Sequence, residues 1–200
     1  MMTRDVRVGR VLVAALQQAI AEELPARAEF YDHWLGPDGR HDGTLGRAPM
    51  TAVVGFLRTE GEGYRRVVER AGQLVAEWTV QEESSVGRRW RRAMPRWWRM
   101  RAVCRRIRVV VADTCPATQV KATTSRSTIE IVVAESVFCG AREVPPAPLC
   151  AFYAALVVAM CSAAGLVVSG QMERCRARPD EGGVGREQAC GGTFAVSPAS

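Results

Sequence analysis

The sequence predicts an α+β fold, with N-terminal helices packed on a mainly antiparallel sheet and a buried helix between the third and fourth strands. Three observations predict it. Apolar residues recur at helical spacing through the first half of the chain. The period falls to 2 after Arg105, where β-branched residues gather. A single stretch of small apolar residues, of helix length, then interrupts the strands. Helices first and strands afterwards point to a segregated α+β arrangement with antiparallel pairing.

The elements follow in order. Between Val11 and Leu24, the residues Leu12, Ala15, Leu16 and Ile20 form an apolar stripe, and Pro25 marks its end. The run Val11 to Leu16 is short, and the polar Gln17, Gln18, Glu22 and Glu23 follow at once. It reads as an amphipathic helix and not as a secretion signal. Phe30 to Leu35 reads as a helical turn, and Gly36 to Gly43 as a loop. Pro49 opens a helix running to Arg58. From Tyr64 to Trp78, the residues Tyr64, Val67, Val68, Ala71, Leu74, Val75 and Trp78 share one face. Val86 to Cys104 also reads as helix, with Trp90, Ala93, Met94, Trp97 and Cys104 along a stripe directed inward and Pro95 kinking it or starting a second helix at that point.

Ile107, Val109 and Val111 alternate with their neighbours as in a strand, and Asp113 to Pro116 form a turn. Gln119 to Thr124 and Thr128 to Phe138 read as a hairpin around Ser125 to Ser127. Val144 to Pro148 is a proline-rich loop and Leu149 to Ala164 a buried helix. Gly165 to Cys175 and Thr193 to Val196 are the last strands. The expectation is one domain over residues 1–200, helical over about 8–104 and strand-rich over about 105–196.

Hydrophobic residues make up 48% and charged residues 24%. That balance excludes a wholly disordered, collagen-like or disulfide-stapled peptide chain. Ala151 to Gly170 carries no charge and is about the length of a membrane span. Ala, Gly, Ser and Cys supply eleven of its twenty residues, so a helix followed by a buried strand is the preferred reading. The net charge of +6 is local: ten arginines lie between Arg88 and Arg108, with no acid from Ser84 to Ala112. Interleaved with Trp90, Trp97 and Trp98, they suit stacking on bases and pairing with phosphates. A core helix with a solvated arginine face accounts for them more simply. A third reading has Trp97 or Trp98 carry an anionic or aromatic ligand.

His33 and His41, with Asp32 and Asp42 beside them, flank a polar loop and read as surface residues. No nucleophile elbow, phosphate-binding loop, dinucleotide fingerprint or His-Glu-x-x-His helix occurs. No catalytic residue is assigned, and the balance leans away from an enzyme.

The seven cysteines are Cys104, Cys115, Cys139, Cys150, Cys161, Cys175 and Cys190. An odd number argues for free thiols or metal ligands in a reducing, cytoplasmic setting. Cys139 ends a predicted strand, Cys150 opens the buried helix, Cys175 ends the next strand and Cys190 precedes the last. Four thiolates at such ends suit one tetrahedral zinc. Their spacing has no tight pair, so on spacing alone buried structural thiols remain the alternative.

The segment Ile129 to Cys139, then Pro148-Leu-Cys150-Ala-Phe-Tyr153, a small-residue helix, Met172-Glu-Arg-Cys175 and Cys190-Gly-Gly-Thr-Phe194 resembles the 4-vinyl reductase domain. The match spans roughly Arg105 to Val196. The stretch from Cys175 to Cys190 is longer than the family's turn. The resemblance implies a ligand-binding fold shared with haem nitric-oxide-binding and TRAPP-type proteins. It implies structural zinc on Cys139, Cys150, Cys175 and Cys190, and a small apolar or aromatic ligand between the helices and the sheet. Phe56, Trp78, Trp97 and Phe152, taken from apolar faces, are the candidate lining residues. A homodimer and a separate output protein are the partners it implies. The alternatives are an enzyme or accessory factor in tetrapyrrole vinyl-group reduction, a nucleic-acid binder using residues 88–108, and a membrane protein through Ala151 to Gly170.

Overall fold

A computed structural model describes residues 7–36, 44–84, 87, 93–116, 118–139, 149–175 and 189–197. Helices come first: α1 (Arg10–Glu23), α2 (Ala28–Leu35), α3 (Arg47–Arg58), α4 (Glu62–Gln81) and α5 (Arg96–Thr114). Then follow strands β3 (Gln119–Thr124) and β4 (Thr128–Ala134), helix α6 (Ala151–Ala163), and strands β5 (Val167–Arg174) and β6 (Ala189–Ser197). A short ribbon joins β1 (Arg7–Val8) to β2 (Leu45–Gly46), which the sequence did not signal.

The main sheet has the order β3-β4-β6-β5, antiparallel throughout. Ile129, Ile131 and Val133 on β4 point to one face and are buried, as a period of 2 requires. Phe194, Gly192 and Cys190 sit opposite them in register on β6. Helix α5 packs on β3 and α6 on β5. Helix α4 lies between α6 and α1, burying Val67, Val68, Ala71, Leu74 and Val75. The fold is α+β as the sequence predicts.

One element is corrected. Residues 107–111 belong to α5 and not to a strand. Met100, Val103, Cys104, Ile107, Val110, Val111 and Thr114 form one buried stripe at spacings of three and four. Ile107 and Val111 fit either period, and Val109, which a strand would have buried beside them, is 48% exposed. Packing overrides the weak helix preference of valine here. The buried helix therefore falls between the second and third strands of the main sheet.

Helix α5 starts at Pro95, its N-cap. Trp90 and Arg88 to Arg92 lie outside the described residues, as do His41, Asp42 and the loop Val144 to Pro148. The inward direction expected for Trp97 is also corrected: Trp97 and Trp98 are each 51% exposed, with ring centroids 4.4 Å apart. Cys104, seven residues after Trp97 and on nearly the same face, is buried, so the stripe meets the core only beyond the first turn of α5.

Ala151 to Gly170 divides as a helix and a strand. Helix α6 ends at Ala163, and Gly165 has φ of 69°, in the region that favours glycine. The Leu166 N–H donates to the Cys161 carbonyl at 2.9 Å and the Gly165 N–H to Ser162 at 2.9 Å, which closes the helix end. Among the described residues no helix is long and apolar enough to cross a membrane.

Candidate metal centre

The four cysteines singled out by the resemblance meet. After β4 the chain turns at Glu135, which has φ of 58°, and a single 3-10 turn, Val137–Cys139, carries Cys139 to the cluster. Cys139 therefore follows a turn and does not end a strand. The turn is held at several points. The Ser136 Oγ accepts from the Phe138 N–H at 3.2 Å and lies 3.1 Å from the Tyr153 hydroxyl. Arg58 donates to the Phe138 carbonyl at 2.7 Å. Cys150 is the N-cap of α6, and the carbonyl before it, on Leu149, accepts from the buried Tyr64 hydroxyl at 2.9 Å. Cys175 follows β5, beyond an irregularity in its register between Met172 and Arg174. Cys190 lies inside β6 opposite Val133, not ahead of the last strand as expected, because β6 begins at Ala189.

All four Sγ atoms lie within 4.8 Å of one another, and all four residues are buried. Cys139 is 2.8 Å from Cys150, 3.0 Å from Cys190 and 4.0 Å from Cys175. Cys150 is 2.9 Å from Cys190 and 3.9 Å from Cys175. A tetrahedron with Zn–S bonds of about 2.3 Å has S–S edges of about 3.8 Å. The two edges from Cys175 to Cys139 and Cys150 match that length. The three edges joining Cys139, Cys150 and Cys190 are tighter and would open around an ion.

Electrostatics point the same way. Hydrogen bonds from the Cys139, Cys150 and Cys190 thiols push the Cys175 thiol far below its ordinary range. Cys150 is pushed up by its contacts with Cys139, Cys175 and Cys190 and by burial. At Cys139 the contact with Cys150 pulls down, but Cys175, Cys190 and burial outweigh it, so the thiol is raised. The protein alone thus favours one thiolate among thiols. Like charges about 4 Å apart repel by roughly 4 kcal/mol at an effective dielectric of 20. A divalent cation removes that repulsion, so the donor set fits a soft metal ion.

The remaining cysteines provide a contrast. Burial pushes Cys104 up to about 11, Cys115 to about 12 and Cys161 to about 12. Neutral and buried, they behave as small apolar side chains.

No protein-family model matches the chain, and a search of curated proteins finds no match.

The candidate ligand-lining residues lie on four helices. Phe56 is 47% exposed on α3, edge-on to Phe30 at 5.9 Å. Trp78 is half-buried against the core on α4. Trp97 carries the Arg101 guanidinium 5.2 Å above its ring. Phe152 is fully buried on α6, stacked on Phe138 at 5.0 Å and edge-on to Tyr153. None of the ring contacts among the described residues joins two of the four. His33 lies edge-on to Trp34, while Asp32 accepts from Gln17 at 2.8 Å.

The arginine segment holds a role that its composition did not show. Arg96 donates to the Val196 carbonyl at 2.6 Å. Arg99 donates to Ala164 at 3.2 Å and Gly165 at 3.0 Å, and Arg106 to Thr79 at 3.3 Å. These three guanidinium groups fasten the ends of β6, α6 and α4 to α5. The signal available in sequence was an arginine at helical spacing on the border of an apolar stripe.

Tyr64 offers a direct test of how the cage is held. Tyr64→Phe leaves the Leu149 carbonyl buried without its donor, which costs about 1–3 kcal/mol. Urea unfolding should show a lowered midpoint with an unchanged slope.

Proposed function

We propose that the chain is a small-molecule-binding domain of the 4-vinyl reductase type, pinned by a structural zinc ion. The observation that carries this reading is the selective meeting of four cysteines. Cys139, Cys150, Cys175 and Cys190 come together from a turn, a helix start, the residue after β5 and the start of β6, while the other three cysteines stay out of the cluster. These are the four that the resemblance singles out.

Four thiolates close the coordination sphere, so zinc here supplies cross-linking and not an open site for substrate. It fastens the β4 turn and the start of α6 to the facing ends of β5 and β6. Structural zinc and seven cysteines outside disulfides fit a reducing compartment such as the cytoplasm. No side-chain arrangement in the described residues favours the tetrapyrrole-reduction alternative. The use of Arg96, Arg99 and Arg106 as fasteners weakens the nucleic-acid alternative.

The reading is tested by thermal unfolding of the zinc-loaded protein with phenol, toluene, 2-naphthamide and protoporphyrin IX. A ligand at about a hundred times its Kd stabilises by about 2.7 kcal/mol. In a domain of this size that raises Tm by about 5–11 °C. A rise with at least one compound is expected. An unchanged Tm across the panel, with zinc bound, would overturn the ligand-binding part.

A further inference from the structure

We propose that the groove on the outer side of α5 is the ligand site, and that it takes a planar aromatic anion such as an aromatic carboxylate. This rests on the ligand-binding reading above, adds the chemistry, and moves the place from between the helices and the sheet to the outer side of α5, where none of Phe56, Trp78, Trp97 and Phe152 lines the groove. Helix α5 has two apolar stripes where a helix on a sheet needs one. The first, from Met100 to Thr114, faces the core. The second carries Trp98, Ala102 and Val109, and Trp98 and Val109 are half exposed. Together with Met94 and with Glu83, just beyond α4, it lines a cavity of about 440 Å³. That volume is within the roughly 300–1,000 Å³ of small-ligand pockets.

The charges in the groove select the occupant. Among the described residues, Arg101, Arg105 and Arg106 line it against a single carboxylate, Glu83. Arg106 is committed to the Thr79 carbonyl and leans on Glu83 at 4.0 Å. Arg101 is stacked over Trp97 and Arg105 is exposed, and among the described residues both line the groove without a carboxylate partner of their own in it. A flat ring against Trp98 and Met94 places its acidic substituent among these arginines. Arginine suits this task, since its planar fork pairs with a carboxylate through two parallel hydrogen bonds. A concave groove favours a small molecule over a lipid surface, which would need a convex face.

The test is calorimetric titration of the full zinc-loaded chain with 2-naphthoate and its neutral counterpart 2-naphthamide. The anion should bind about tenfold tighter than the amide, the effect of one charge-assisted pair. Arg105→Gln and Arg101→Gln should each erase most of that preference. Trp98→Leu should weaken both compounds alike. Arg108→Gln, on the same helix but outside the groove lining, should change neither. All four residues are exposed, and far-UV circular dichroism checks that the variants fold. Equal affinity for the two compounds, or a preference that survives Arg101→Gln and Arg105→Gln, would overturn the proposal. So would sedimentation with phosphatidylglycerol vesicles without naphthoate binding, which assigns the face to a membrane. If only this inference fails, neutral aromatics still raise Tm independently of the α5 variants. If the parent reading fails, they raise it in no variant.

Discussion

Gly72→Val should destabilise the protein by about 3 kcal/mol or more, at the upper end of the usual overpacking range. Gly72 is where α4 crosses α6. A Cβ built there runs into the Phe152 carbonyl oxygen and lies 3.1 Å from the Ala155 Cβ and 3.1 Å from the Leu156 backbone nitrogen. The obstacles are mostly backbone, so no rotamer change clears them and the helices must part. Parting them lifts α6 from the position that delivers Cys150. A loss of this size is a large share of the roughly 5–15 kcal/mol that holds a domain folded. Gly55→Ala on α3 serves as the opposite control. A Cβ at Gly55 meets nothing within 4 Å, and the change should stabilise by about 0.5–1 kcal/mol through helix propensity alone. Urea unfolding of the two variants should therefore move in opposite directions.

Cys150→Ser should abolish tight zinc binding and lower Tm by about 8–16 °C. Cys150 Sγ is the atom in closest touch with both Cys139 and Cys190, and it starts the helix on which Phe152 and Tyr153 pack. A serine hydroxyl is a poor ligand for zinc at neutral pH, and the residue keeps the shape of the site while losing its chemistry. Zinc free at about a thousand times its Kd contributes about 4.1 kcal/mol. A domain of 150–250 residues loses roughly 2–4 °C of Tm per kcal/mol. A chelator should lower the Tm of the unaltered protein to a similar value and leave the variant unmoved. Cys161→Ser is the matched control. Cys161 is equally buried but outside the cluster, so its variant should keep zinc while losing some packing stability.

The layout of the fold was legible wherever one period dominated. Helix α4 was plain because Tyr64 to Trp78 offers the core a single stripe. The β3–β4 hairpin was plain because β-branched residues flank a short polar turn. Ile107 to Val111 was misleading because residues four apart coincide with both periods, and the exposure of Val109 beside the burial of Val110 distinguishes them. The direction of Trp97 was lost because its spacing to the buried Cys104 is helical, while it stands in the first turn of α5, ahead of Met100 where the buried stripe begins.

The metal cluster was half legible. Spacing alone left Cys139, Cys150, Cys175 and Cys190 indistinguishable from ordinary buried thiols, since the chain brings them together through sheet pairing. The register of β6 against β4 places Cys190 opposite Val133, and no local pattern encodes that register. The fasteners Tyr64 and Arg58 were invisible, since each reaches about eighty residues along the chain to a backbone carbonyl. The groove on α5 was legible as composition and became a site only when the helix ran on to Thr114 and set Val109 in line with Trp98.

The central claim is that four sulfur atoms hold one zinc ion, and X-ray absorption at the zinc K edge of the purified full chain tests it most directly. The account predicts a first shell of sulfur alone, with about four scatterers near 2.3 Å. A shell containing nitrogen or oxygen ligands, or a protein that takes up no zinc at all, would contradict it.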